Sequence, residues 1–207
     1  MSTKDGAALK VVAGSAPRDK HATIAVPNGR VTGGYVLKQL VADGLLATSD
    51  AERFKTSGGR DRAGHPLANL AEMNYRTPNA ERKLLDLEML THWLASKASL
   101  PYYHIDPLRV DFTRVAEVMS SSYATTYSIL PVAVSGDEVT ITTCEPFQTG
   151  WEREIEQITK KSVKKVVSNP HDIARYTTEF YKLAQQVRGA AKTGAAPLVS
   201  SFEHRIA

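Results

Sequence analysis

From Val36 onward the apolar positions recur at helical intervals. In "GGYVLKQLVADGLL" they are Val36, Leu37, Leu40, Val41 and Leu45, the spacing of one buried helix face. Gly44 then predicts a left-handed turn that ends the helix. "TSDAERF" offers Thr48 or Ser49 as an N-cap ahead of acidic residues, a start signal for a second short helix. After the connector "TSGGRDRAG" the theme returns in "HPLANLAEMN". There Leu67, Leu70 and Ala71 repeat the spacing, and Asn74 stands where Gly44 stood. "DLEMLTHWLASKA" adds Leu87, Leu90, Trp93 and Leu94. Residues 31–98 therefore predict a small bundle of about four helices.

After Leu100 the period changes. "YYHID" reads as a strand between the breakers Pro101 and Pro107. "DFTRVAEVMSSSYATTY" predicts a helix capped by Asp111, with Phe112, Val115, Ala116 and Met119 on one face. "SILPVAVSGDEVTITTCEP" alternates around Ser-Gly-Asp and predicts a β-hairpin. "FQTGWEREIEQITKK" predicts a helix capped by Thr149, with Trp151, Ile155 and Ile158 along one side. "SVKKVVSN" is a further strand. A last helix opens at Pro170 and carries Ile173, Tyr176, Phe180 and Leu183. The fold class is α+β: a helical subdomain over 31–98, then a β-α-β-β-α-β-α arrangement over 99–187 with a small antiparallel or mixed sheet covered by helices. Residues 1–30, rich in Ala, Gly, Ser and Pro, predict a flexible tail. Residues 188–207 predict a linker.

Composition narrows the picture. Of the 207 residues 42% are apolar, enough for a core, and there is one cysteine, Cys144. An internal disulfide is thus excluded, and a reducing compartment is implied. No apolar run approaches the roughly 20 residues that cross a bilayer, and the N-terminus lacks a signal layout. The reading is a cytoplasmic protein without direct membrane insertion. The net charge is +4. Residues 1–30 contribute +3 and residues 188–207 contribute +2, which leaves −1 for residues 31–187. The basicity sits at the two ends, so the folded part lacks the basic face of a nucleic-acid module.

Candidate chemistry is sparse. His104 and Asp106 lie two apart on the expected strand and so share a face, which would suit an acid/base pair of a small stand-alone hydrolase. No nucleophile accompanies them, and the residues favour a strand end punctuated by Asp-Pro. "KTG" at 192–194 lacks its Ser-x-x-Lys companion. No G-x-x-x-x-G-K-[ST] loop is present, so no nucleotide-hydrolysing site is expected in this chain. Cys144 and Glu145 close the hairpin, where a lone Cys reads as a small buried hydrophobe. "KKSVKK" at 160–165 is a local basic cluster on a helix end and strand edge.

"LPYYHIDPLRVD", "ILPVAVSGDEVTITTCEPF" and "VKKVVSNPHDIARYTTEFYKLA" together resemble the N-terminal domain of GspE/PulE-type ATPases, which drive type II secretion and type IV pilus assembly. The residues that carry the likeness are Leu100, Pro101, Asp106, Pro107, Leu130, Pro131, Pro146, Ile173 and Tyr181. The resemblance spans about residues 64–187, and more weakly the leading segments "LKQLVADGLL" and "LANLAEMN". It implies a non-catalytic docking and regulatory domain. Its partner would be a cytoplasmic domain of an inner-membrane platform protein, which would hold the motor peripherally at the membrane. It also implies an ATPase core beyond the linker, to which ATP and magnesium would belong; this chain itself needs no cofactor. Some members bind cyclic di-GMP through two tandem segments patterned R-L-G-x-x-L-x-x-x-G. Here Leu40 and Gly44 match the first segment, while Tyr35 and Leu37 replace its Arg and Gly. In the second, Leu70 matches, while His65, Leu67 and Asn74 depart. A shifted register, Arg62, Gly64 and Leu67, restores the Arg and Gly but puts Ala71 at the final glycine. The candidate dinucleotide-binding residues are thus Leu37, Leu40, Gly44, Arg62, Gly64, Leu67 and Leu70.

Overall fold

The computed structural model describes residues 29–57 and 63–193. Most of the expected tail, the connector around residue 60 and the end of the expected linker lie outside the described residues.

The leading helices are α1 (Gly33–Ala42), α2 (Thr48–Thr56), α3 (Pro66–Ala71) and α4 (Leu87–Lys97). The apolar positions predicted for α1, α3 and α4 face one core, with Val41, Leu45, Ala71 and Leu87 half-buried at its rim. Val36, Leu37 and Leu40 of α1 meet Phe54 of α2, Leu67 and Leu70 of α3, and Leu90 and Leu94 of α4 in one apolar cluster. Thr32 caps α1 by accepting the Tyr35 N–H. Asp86 caps α4 by accepting the Met89 N–H at 2.8 Å. Gly44 and Asn74 follow α1 and α3 with φ of 69° and 53°, the left-handed conformation that lets a helix end and the chain turn. Asp43 then ties α1 to α4: it accepts from Trp93 Nε1 and Lys97 Nζ, each at 2.7 Å.

The second part consists of α5 (Phe112–Val118), α6 (Ser121–Tyr127), β1 (Ile129–Val134), β2 (Glu138–Thr143), α7 (Trp151–Thr159), β3 (Ser162–Val167) and α8 (Pro170–Thr193). The sheet order is β1-β2-β3. The predicted hairpin forms: β1 and β2 run antiparallel, with Leu130 opposite Thr142 and a register shift between Pro131 and Ala133. β3 returns parallel to β2 after the α7 crossover, so the sheet is mixed. Alternating residues bury on both faces. Leu130 and Val132 pack with Ile105, Val115, Ile173 and Phe180. Ile129, Val139 and Ile141 pack with Trp151 and Ile155 of α7.

The α+β class holds, with local departures. The first expected strand, "YYHID", is a single parallel bridge, Tyr102 to Val167. Two hydrogen bonds complete it: Tyr103 N–H to Val167 O at 2.7 Å and Val167 N–H to Pro101 O at 2.9 Å. Pro101 has no donor of its own, and Asp106 turns the chain away, so the ladder cannot lengthen. The single helix expected over 111–127 is two. Met119 lies between them in extended conformation, and Ser120 starts the second by accepting the Tyr123 N–H at 3.2 Å. A run of serines offers the backbone such a local alternative. α2 follows Ala47 without a side-chain cap, so neither Thr48 nor Ser49 serves as one. Gly150 rather than Thr149 precedes α7, and its N–H is taken by Glu152 Oε2 at 3.0 Å. Ile158, expected on the buried side of α7, is exposed. α8 continues to Thr193, so the expected linker does not begin at residue 188.

Candidate functional site at the junction of helices and sheet

Strand β2 delivers its last residues to the boundary between the two parts. Thr143 Oγ1 accepts the Glu145 N–H at 2.9 Å, and Glu145 O accepts the Gln148 N–H at 3.0 Å, so residues 143–148 form a fixed turn. The beginnings of both leading segments converge on this turn. Tyr35, in the first turn of α1, meets Phe147 edge to face with centroids 5.4 Å apart. His65, which caps α3, accepts the Leu67 N–H on Nδ1 at 3.3 Å and gives its Nε2 proton to Cys144 O at 3.0 Å. Both ring nitrogens are then committed, and the tautomer is set by these partners.

Residues 29–31 form a strap across the same turn. Val31 N–H donates to Glu145 Oε2 at 2.6 Å. Arg30 donates to Thr126 O, in α6, at 3.0 Å. Gly29 has a φ of 71°, and a Cβ there would sit 2.8 Å from Phe147 O, so only glycine fits. The Glu145 side chain is 11% exposed, and its Oε1 lies 3.8 Å from His65 Nε2. Burial pushes the Glu145 carboxyl up to about 7, against the pull of the Val31 N–H and of Arg30. Burial pushes His65 down to about 4, opposed by its bond to Cys144 O and aided by His171. The buried Cys144 thiol is pushed well above its ordinary value, first by burial and then by Glu145.

A thiol, an imidazole and a carboxylate thus meet at one place, yet they cannot act as a nucleophilic centre. The imidazole touches the Cys144 carbonyl rather than its sulfur, and the thiol packs in the apolar cluster behind the sheet. A neutral thiol with no base on its proton is not a nucleophile. The arrangement holds elements together. His104 and Asp106 likewise form no pair: His104 is exposed, while Asp106 Oδ1 accepts the Leu108 N–H at 3.0 Å and fixes a turn. In the basic cluster, Lys161 donates to Ser135 O at 2.8 Å and also to Gly136 O. Lys165 binds Glu152 at 2.8 Å and lies over the Trp151 ring. Lys160 and Lys164 remain exposed.

Of the candidate dinucleotide residues, Leu37, Leu40, Leu67 and Leu70 come together, but inside the core cluster. Gly44 and Gly64 are exposed with positive φ. Arg62 lies outside the described residues. Sequence reasoning noted Glu145 only as a companion of Cys144, and it missed Gly29 and Val31. Their one signal was an acidic residue set between apolar neighbours in "TCEPF", which shows neither its burial nor its partner. Among the described residues no group of three or more His, Cys, Asp or Glu could hold a metal ion, and no helix is long and apolar enough to cross a membrane.

Comparison with known proteins bears on what such a junction belongs to. Residues 98–187 match the MshEN domain. The chain is 30% identical over 164 residues to the type IV pilus assembly ATPase TfpB of Acinetobacter baylyi, a match that covers 78% of this chain and 28% of that protein. It therefore spans under a third of that relative's length. Two solved structures are similar at low identity. MshE with cdg shares 17% identity at a TM-score of 0.48 and covers 70% of this chain and 98% of that one. The N-terminal domain of XpsE shares 11% at 0.34, covering 72% and 96%. Residues 98–187 thus carry the likeness of an MshEN domain, and the chain as a whole is similar to part of a type IV pilus assembly ATPase.

Proposed function

We propose that this chain is a docking and regulatory domain of a type II secretion or type IV pilus motor, which recruits the motor to the cytoplasmic domain of an inner-membrane platform protein. The observation that carries the reading is the MshEN match over the part built on the sheet. The junction supports it, since its titratable groups are spent on fastening elements together. ATP hydrolysis would belong to a further part of the motor, and the site of action would be the cytoplasmic side of the inner membrane. The test is calorimetric titration of the full chain with the cytoplasmic domain of the platform protein of its own system. Saturable binding is expected, and no heat at about 100 µM of each protein would overturn the reading.

A second reading, cyclic di-GMP sensing, has one observation in its favour. The two leading segments share a frame: a buried leucine pair, a left-handed residue at position 44 or 74, and a first turn facing residues 144–148. That frame suits a ligand that reads two repeats at once. Against it, Tyr35 and His65 stand where the pattern places arginine, and both are held by internal partners. Guanine recognition wants a guanidinium there. The docking reading expects no thermal shift at saturating cyclic di-GMP. A shift of several degrees, with saturation at one ligand state per chain or per pair of chains, would favour the sensor.

A further inference from the structure

The strap and Glu145 carry an inference that goes beyond docking and needs no partner. We propose that the Glu145 carboxyl is a proton-controlled tie that fastens residues 29–31 across the junction, tight when the carboxyl is protonated and loosened when it carries charge. Geometry is the first ground. The carboxyl is enclosed, with one short backbone donor, Val31 N–H, on Oε2. Its second oxygen lies beyond hydrogen-bond reach of His65 Nε2, whose proton is already given to Cys144 O. A charged carboxylate wants several donors, and here it is desolvated with one among the described residues. A protonated carboxyl keeps an acceptor for Val31 and sheds the charge, so the bond survives while the burial cost falls.

The surroundings do not replace what solvent would supply. From the strap, Arg30 attracts the carboxylate at a distance while its guanidinium donates to Thr126 O. From α3 comes His65, held neutral. From the turn itself come the Cys144 thiol and the Thr143 hydroxyl, the latter accepting the Glu145 N–H. From the first turn of α8, His171 acts on His65 rather than on Glu145. At Gly29, whose φ is positive, an added Cβ would come within 2.8 Å of Phe147 O and 2.9 Å of Gln148 Cα, so the start of the strap lies close against the turn.

Opening that lifts the strap and leaves His65 in place is therefore linked to the ionisation of one group. The seated carboxyl holds its proton up to about 7, whereas a solvated one ionises near its ordinary value. Linkage between the two makes the opening constant rise about tenfold between about pH 6 and about pH 8, then level off. The readout is amide exchange at Val31 in the full chain, corrected for the intrinsic pH dependence of exchange. Glu145→Gln keeps an acceptor and carries no charge, so its opening constant is expected to be flat across that range. An equal rise in wild type and variant would overturn the proposal. Side-chain carboxyl ¹³C titration of wild type decides independently, even if the variant folds poorly. A midpoint for Glu145 near 7 supports the tie, and one near 4.5 sinks it. No platform protein enters either measurement, so failure here and failure of the docking reading are separate results.

Discussion

At the scale of single residues the junction is governed by two groups that titrate in opposite senses. Glu145 has its folded value raised, so it favours the folded state most at low pH, and that contribution is lost as pH rises towards 7. His65 has its folded value lowered to about 4. It stays neutral when folded and protonates more readily when unfolded, so its contribution is present above about pH 6.5 and is lost as pH falls through 4. Between about pH 4.5 and 6.5 the two slopes oppose each other; below that window His65 alone acts. His65→Ala is expected to cost about 1–2 kcal/mol near neutrality, from the lost cap and the Cys144 carbonyl left without its donor. It should also take away the rise in stability with pH that His65 gives the acid limb between about 4 and 6.5, leaving the opposing fall from Glu145 uncancelled, read as urea midpoints from about pH 4 to 7. Unchanged steepness on that limb would show that other groups carry it. None of this was legible in the sequence. His65 read as a departure from an arginine position, and its burial depends on residues 144–145, nearly eighty positions away.

At the scale of elements the sequence was far more readable, because periodicity and breakers are local. The α1–α4 stripes, the hairpin about Ser135–Asp137 and the start of α8 at Pro170 all formed as their patterns predict. What escaped was decided by competition between near-equal local options. Ser120 could continue a helix or cap a new one, and it caps. "YYHID" has strand character but meets an edge where only Tyr102 and Tyr103 find ladder partners. The paired helix ends give a sharp check. Gly44 and Asn74 occupy equivalent turns at φ of 69° and 53°, and nothing lies within 4 Å of a Cβ placed at Gly44. The cost of a side chain there is thus conformational rather than steric. Gly44→Ala is expected to destabilise by about 1 kcal/mol. Asn74→Gly, which relieves the same strain, is expected to be neutral or to gain a few tenths of a kcal/mol. Thermal or urea midpoints of the two variants should move apart. Equal losses in both would mean that the Asn74 side chain, which donates to Glu72 O at 3.2 Å, matters more than its backbone angle.

At the scale of the whole molecule, the docking reading directs attention to the exposed apolar residues among those described. Scattered apolar residues on a surface are ordinary, so exposure alone selects nothing; rigidity does. Leu108 is 94% exposed at the tip of the loop between the Tyr102 bridge and α5. Its loop is fixed three ways. Asp106 Oδ1 accepts the Leu108 N–H, Asp106 O accepts the Arg109 N–H at 3.1 Å, and Arg109 pairs with the Asp106 carboxylate at 3.4 Å. A large apolar side chain on a pre-formed turn loses little entropy when a partner covers it, which is the property of an interface anchor. Ile158, 69% exposed, is the comparison: it rides on the outer side of α7, flanked by exposed Gln157 and half-buried Thr159. If the domain docks through the Asp106–Arg109 turn, Leu108→Glu should weaken binding of the platform protein's cytoplasmic domain tenfold or more. It should shift folding stability by no more than about 0.5 kcal/mol, since the side chain packs against nothing inside. Ile158→Glu should leave both unchanged. Titration of the three proteins side by side, with urea midpoints for each, separates the outcomes. Full binding by Leu108→Glu moves the docking surface off this turn, and a loss with Ile158→Glu alone moves it to α7.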